Sequence, residues 1–139
     1  MRVALLIAVL VAAVGCGTSA SAPGTAPATE LKVAYWPEGR GEGSAKTWTL
    51  RCAPAGGTLP KAAAVCQRLL SLKSPFAPLR KDLVCTEQYG GPQLALVTGT
   101  LRGTKVWAQL QARNGCEIAR FKRLAFLVPG YSAAGGSPA

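Results

Sequence analysis

The segment VCTEQYGGP, residues 84–92, places a glutamate two residues after a cysteine, and a tyrosine and a Gly-Gly-Pro turn follow. Hydrolysis by an activated nucleophile is disfavoured, because the chain has no histidine and therefore lacks the commonest general base. A glycosidase would need a matched pair of carboxylates. The chain has only six acidic residues, and most of them lie in predicted turns. We therefore expect no catalytic residue, and the chain is not predicted to be an enzyme.

Metal and nucleotide sites are disfavoured by spacing. The cysteines lack the Cys-x-x-Cys spacing of zinc and redox sites. The glycine-rich stretch GRGEGS, residues 39–44, joins two predicted strands instead of leading into a helix, so it indicates a turn and not a phosphate-binding loop. The sequence predicts neither a metal nor a cofactor.

The N-terminal segment is typical of an export signal. Residues 3–14 form an unbroken apolar run after Arg2, which suits a signal peptide and is shorter than the roughly 20 residues of a membrane span. The run ends in AVGC, where small residues precede Cys16 as in a lipoprotein signal. We predict a signal peptide over 1–15 and lipidation of Cys16, with ordinary signal cleavage as the alternative.

The cysteine count supports lipidation. An odd number of cysteines is unfavourable outside the cell, and the chain has five. If Cys16 carries lipid, four remain for two disulfides, and the sequence alone leaves three pairings open. They are Cys52, Cys66, Cys85 and Cys116.

Residues 30–129 form the predicted folded domain, between a flexible linker over 16–29 and a disordered tail over 130–139. Residues 31–36, 46–52, 93–101 and 104–112 alternate like strands, and the last two are joined by a hairpin at Arg102-Gly103. Residues 60–72 have helical spacing, and 115–126 predict a short helix followed by a last strand. These elements indicate an α+β fold in which helices pack on an antiparallel sheet.

Cys52 and Cys66 can join this helix to the sheet. Cys52 ends a predicted strand, and Cys66 lies on the apolar face of the predicted helix. A bridge between them would leave Cys85 to pair with Cys116 and would clamp the base of the 84–92 segment.

The net charge of +10 favours anionic surroundings. A nucleic-acid partner is not expected, because export separates the chain from the genome. The charge serves solubility in the simplest interpretation, and anionic lipid or wall polymer is the alternative partner. The predicted location is extracellular, anchored to the outer face of the cell membrane through Cys16.

Four segments of the chain belong together: WTLRCAPAGGTLPKAAAVC, VCTEQYGGP, GTLRGTKV and RNGCE. In order, spacing and cysteine placement they resemble the Streptomyces subtilisin inhibitor family, and the resemblance covers roughly residues 31–128. The resemblance implies a five-stranded antiparallel sheet, two helices and the disulfides Cys52–Cys66 and Cys85–Cys116. It also implies homodimers that form through the sheet, and inhibition of subtilisin-like serine proteases.

The resemblance also implies roles for the residues of the loop. Glu87 takes the position that enters the specificity pocket of the protease, so Glu87–Gln88 is the implied reactive bond. Thr86 and Cys85 precede that bond, Tyr89 follows it, and Asn114 is expected to support the loop from behind.

Two features of the loop depart from the family. Thr86 and Glu87 stand where members usually carry Pro and then Met or Lys. Because burial of an unpaired carboxylate in an apolar pocket is costly, Glu87 indicates a glutamate-preferring protease rather than a conventional subtilisin. Gly90-Gly91 makes the loop one residue longer. The alternative function is a non-inhibitory envelope lipoprotein, for binding or structure, that uses the same fold.

Overall fold

The computed structural model describes residues 27–132. Five strands, two α-helices and a 3-10 turn follow one another along this part of the chain. The strands are β1 (Thr29–Trp36), β2 (Lys46–Cys52), β3 (Gly56–Gly57), β4 (Leu94–Leu101) and β5 (Thr104–Gln111). The helices are α1 (Ala62–Ser71) and α2 (Gly115–Leu124), and the 3-10 turn spans Ala125–Leu127. Within residues 27–132 no helix is long and apolar enough to cross a membrane.

The strands form one antiparallel sheet in the order β3-β2-β1-β4-β5. This sheet, the two helices and the disulfides Cys52–Cys66 and Cys85–Cys116 confirm the predicted α+β fold. The β4–β5 hairpin turns at the predicted Arg102-Gly103 pair, where φ is +50° and +78°. Positive φ at both central residues is the geometry of a tight two-residue hairpin turn.

One face of the sheet packs against both helices. Alternate residues of the three central strands are buried, because successive strand side chains point to opposite faces. Helix α2 contributes its buried residues at a spacing of three, so a single apolar stripe faces the sheet. The most buried side chains include Leu50, Leu69, Leu110, Phe121, Leu124, Leu127, Val33 and Val97.

The fifth strand is not the one expected after the second helix. The chain continues from α2 into the 3-10 turn, since Leu124 and Leu127 lie on the buried side and keep the helical spacing. The prediction of a strand there was wrong. The fifth strand is instead the two-residue β3, which pairs with Leu50 and Arg51 at the edge of β2.

The two ends of the sheet, called the hairpin end and the loop end, have different neighbours. At the hairpin end lie Thr29, Cys52 and the Arg102-Gly103 turn. At the loop end lie Trp36, Leu94 and the last residue of β5, and α2 begins four residues after β5 ends. An eight-residue strand separates the ends by about 26 Å.

Helix α2 also holds the long segment between α1 and β4. Arg120 donates to the carbonyl oxygens of Gln109 and Phe76 at 3.0 and 3.2 Å, and Arg123 donates to that of Pro75 at 3.3 Å. Burial, and then repulsion from Arg123, lowers the pKa of Arg120.

Candidate functional site

The segment 84–90 is an exposed loop without regular structure at the loop end of the sheet. Glu87 and its neighbours Thr86 and Gln88 are exposed. Two large apolar side chains also project from the loop, since Val84 is 95% exposed and Tyr89 is 67% exposed. The loop therefore presents a carboxylate between two apolar contact points.

The loop is tied to α2 at its start. The disulfide Cys85–Cys116 joins it to the second residue of the helix, with 5.4 Å between the two Cα atoms. The next residue is held as well, because the Gly115 N–H donates to the Thr86 carbonyl oxygen at 3.0 Å. That N–H belongs to the first turn of a helix, where backbone donors have no partner within the helix.

A second backbone hydrogen bond ties the far end of the loop. The Gly90 N–H donates to the carbonyl oxygen of Ala112 at 2.7 Å, directly after β5. A Cβ at Gly90 would lie 2.9 Å from the side chain of Ile118, so α2 leaves no room for a larger residue there. Gly90 is one of the two glycines that lengthen the loop, and it is a fixed point of the backbone.

Glu87, Gln88 and Tyr89 therefore span the interval between two anchored residues. Among residues 27–132 the one ion pair joins Arg80 to Asp82, so Glu87 has no cationic partner in this part of its own chain. The carboxylate is left free to pair with a group on another molecule.

Asn114 lies behind the loop, and its side chain acts on the helix. Its Oδ1 accepts from the Glu117 N–H at 3.0 Å and caps α2. The Glu117 carboxylate reaches back to the Arg113 N–H at 3.3 Å, so the helix start is closed from both sides. Support for the loop comes directly from Gly115 and only indirectly from Asn114.

Three contributors were missed from the sequence: Gly115, Ala112 and Val84. A Cβ on Gly115 would lie 2.1 Å from the Thr86 Oγ1, so this glycine allows the loop to approach the helix. The glycine directly before a cysteine in RNGCE was the available signal. Ala112 acts through its carbonyl oxygen alone, which no sequence pattern marks.

Residues 27–132 hold no cluster of three or more metal-binding groups that would mark a second chemical site. The hollow beside the loop is lined by Tyr89, Pro92 and Arg40, has a volume of about 260 Å³ and holds no pair of catalytic groups. The predicted signal peptide, most of the linker and Cys16 lie outside the described residues.

The chain resembles known proteins in sequence and in structure. No curated protein sequence gives a significant match. Among solved structures the chain is similar to Streptomyces caespitosus sermetstatin, crystallised in complex with Bacillus licheniformis subtilisin. The two chains are 25% identical, the match covers 75% of this chain and 99% of that one, and the TM-score is 0.47. The sequence model of the family described as subtilisin inhibitor-like matches residues 27–114. Since that match spans more than half of the chain, the protein belongs to the subtilisin inhibitor-like family of secreted proteins, and it is a protease inhibitor and not an enzyme.

Proposed function

We propose that the chain inhibits a serine endopeptidase through the loop 84–90, with Glu87–Gln88 as the reactive bond. The observation that carries this proposal is the exposed Glu87, which lies between two anchored positions. On one side are the disulfide-linked Cys85 and the hydrogen-bonded Thr86, and on the other is the hydrogen-bonded Gly90. A protease binds its substrate in an extended form. A loop that is already held loses little conformational entropy on binding, so more of the contact energy appears as affinity.

The same ties explain why such a bond would be cut slowly and resealed. Hydrolysis at Glu87–Gln88 would leave the new carboxyl end two residues from Cys85, which stays joined to α2. The new amino end would lie two residues from Gly90, which stays bonded to Ala112. Both ends would remain in the protease cleft, so religation would compete with release.

The carboxylate at the specificity position supports a glutamate-preferring protease as the target. Glu87 has no ion-pair partner within residues 27–132, and desolvation of such a charge is costly unless the pocket supplies a cationic or hydroxyl group. An apolar pocket of the broad subtilisin type lacks that group. A subtilisin-like protease with a polar pocket remains within the same proposal.

The test is a set of inhibition constants against one apolar-pocket subtilisin and one glutamate-preferring serine protease. Glu87→Met should strengthen inhibition of the subtilisin by about tenfold, which corresponds to about 1.4 kcal/mol, and weaken inhibition of the other enzyme. The matched control Gln88→Met adds the same side chain on the leaving-group side and should change both constants less. Equal constants for wild type and Glu87→Met would show that Glu87 does not occupy the specificity pocket. Such a result would place the specificity contact at another residue of the loop.

We also propose that Cys16 is lipidated and holds the inhibitor at the outer face of the cell membrane. The support is the AVGC sequence and the use of the other four cysteines in disulfides. Radiolabelled palmitate should enter the wild-type chain and not Cys16→Ser. Equal incorporation into both chains would contradict the assignment.

A homodimer through the sheet remains a proposal from the resemblance. The face of the sheet away from the helices carries Trp107, which is 69% exposed and lies opposite Thr98. An exposed tryptophan on an open sheet face is consistent with self-association. Sedimentation velocity of wild type and Trp107→Ala tests it, and a monomer at all concentrations would contradict it.

A further inference from the structure

The two ends of the sheet differ in charge. The hairpin end carries five exposed basic residues and one acidic residue: Lys32, Arg51, Lys73, Arg102, Lys105 and Glu30. The loop end, together with residues 80–82 that precede the loop, carries five basic and five acidic residues: Arg40, Lys46, Arg80, Lys81, Arg113, Glu38, Glu42, Asp82, Glu87 and Glu117. The formal charge is therefore +4 at one end and 0 at the other, and the domain has an electrostatic polarity along its strands.

The basic residues of the hairpin end lie around the turn itself. Arg102 is in the turn and donates to the carbonyl oxygen of Leu70, which brings the end of α1 to this place. Ser74 lines a cleft together with Arg102 and Lys105, so Lys73 is next to the same cleft. Since the one ion pair of residues 27–132 is Arg80–Asp82, none of the five cations is neutralised by a salt bridge in this part of the chain.

The chain enters the domain at this same end. The carbonyl oxygen of Ala28 accepts from the Gly103 N–H at 2.8 Å, and the Thr29 hydroxyl accepts from the Arg102 N–H at 3.0 Å. Residues 1–26, which include Cys16, therefore connect to the domain at the hairpin end, and the segment 84–90 lies at the opposite end of the sheet.

We propose that the hairpin end is a docking surface for an anionic phospholipid bilayer and that it orients the inhibitor with its loop away from the lipid. Each basic residue near an anionic surface strengthens partitioning by roughly fivefold, over a range of about 10 Å at moderate salt. An acyl anchor and a basic patch together hold a protein more firmly than either one alone. The loop end has no net charge and is not drawn to the same surface, so Glu87 stays accessible to a protease.

The test is co-sedimentation with vesicles of the chain without its predicted signal peptide, residues 16–139 carrying Cys16→Ser, so that neither the signal peptide nor lipidation contributes. Vesicles of phosphatidylglycerol with phosphatidylcholine are compared with vesicles of phosphatidylcholine alone. Lys73→Gln with Lys105→Gln removes two charges at the hairpin end, and neither side chain makes a hydrogen bond within residues 27–132. Lys46→Gln with Arg113→Gln removes the same charge at the loop end and is the matched control.

We expect binding to phosphatidylglycerol vesicles alone, and a loss of at least about tenfold in the Lys73→Gln, Lys105→Gln chain. The control should change by less than about threefold, and 0.5 M salt should weaken binding of every chain. An equal loss of vesicle binding in both double variants would show that net charge alone attracts the chain to the lipid, without a docking surface. Absence of a preference for phosphatidylglycerol would overturn the proposal. Complete displacement from the vesicles by soluble polyphosphate at equal charge would also overturn it, because the occupant would then be a polyanion and not a bilayer.

The proposed orientation of the domain on the bilayer is tested separately, by inhibition constants. Inhibition constants measured with the Cys16→Ser chain on phosphatidylglycerol vesicles should equal those in solution, because the loop faces the solvent. A loss of inhibition on the vesicles would place the loop against the lipid and contradict the proposed orientation.

Discussion

Gly115→Ala is expected to weaken inhibition although it leaves the loop sequence unchanged. The new methyl group would lie 2.1 Å from the Thr86 Oγ1 and 3.4 Å from its Cβ. The loop must therefore shift, or the Thr86 side chain must rotate. Alanine is a better helix former than glycine, and Gly115 does not have a positive φ, so the helix itself has no reason to lose stability.

The magnitude follows from the contacts that the methyl group displaces. The hydrogen bond from Gly115 to Thr86 is worth about 0.5–1.5 kcal/mol. Loss of order adds about 0.5–1.5 kcal/mol for each side chain that must be fixed again on binding. The sum of about 1–3 kcal/mol corresponds to inhibition that is about 5- to 150-fold weaker.

A double-mutant cycle separates this effect from direct contact with the protease. Inhibition constants and melting temperatures are measured for wild type, Gly115→Ala, Thr86→Ala and the double variant. Thr86→Ala removes the hydroxyl that the methyl group would strike, so the double variant should recover at least about 1 kcal/mol relative to additive behaviour. Additive effects, or unchanged inhibition in Gly115→Ala, would refute the reasoning.

Three other predictions concern the ties of the loop and the core. Replacing both Cys85 and Cys116 by serine should lower the free energy of unfolding by about 3–4 kcal/mol, as measured by denaturant titration, and should turn the inhibitor into a substrate that is cut quickly. Gly90→Ala should weaken inhibition by about tenfold, because its methyl group would press on a side chain of α2, and unchanged inhibition would contradict this contact. Burial, and for Tyr35 also the neighbouring Tyr131, raises the pKa of both tyrosines above the ordinary value of 10.0. The folded state therefore keeps protons that the unfolded chain releases, so stability should fall as the pH rises above about 10, and Tyr35→Phe should reduce the slope.

Much of the sheet could be predicted because its signals are local. Strand β2 was predicted with its observed bounds, since apolar and polar residues alternate through it. The hairpin at Arg102-Gly103 was also marked by its own residues. Strand β3 could not be predicted, because two glycines carry no pattern. A Cβ on Gly57 would lie 2.2 Å from the Thr49 carbonyl oxygen, so the close pairing of β3 with β2 requires a glycine at this position.

The loop could be predicted from the sequence, but the hydrogen bonds that hold it could not. Cysteine spacing and the family resemblance predicted the role of Glu87 and a disulfide at Cys85. The carbonyl oxygen of Ala112 and the N–H of Gly115 are backbone groups whose partners depend on how α2 meets the loop. Such contacts between distant segments require the fold and cannot be inferred from local residue types.

The most direct test of the central claim is the identity of the bond that a target protease cuts in the folded inhibitor. The inhibitor is incubated with a sub-stoichiometric amount of protease at mildly acidic pH, and the product is analysed by mass spectrometry before and after reduction. The account predicts one slow cleavage that adds a single water, yields Glu87 and Gln88 as the new ends, and leaves the fragments joined through Cys85–Cys116 until reduction. First cleavage at any other bond, or fragments that separate without reduction, would contradict it.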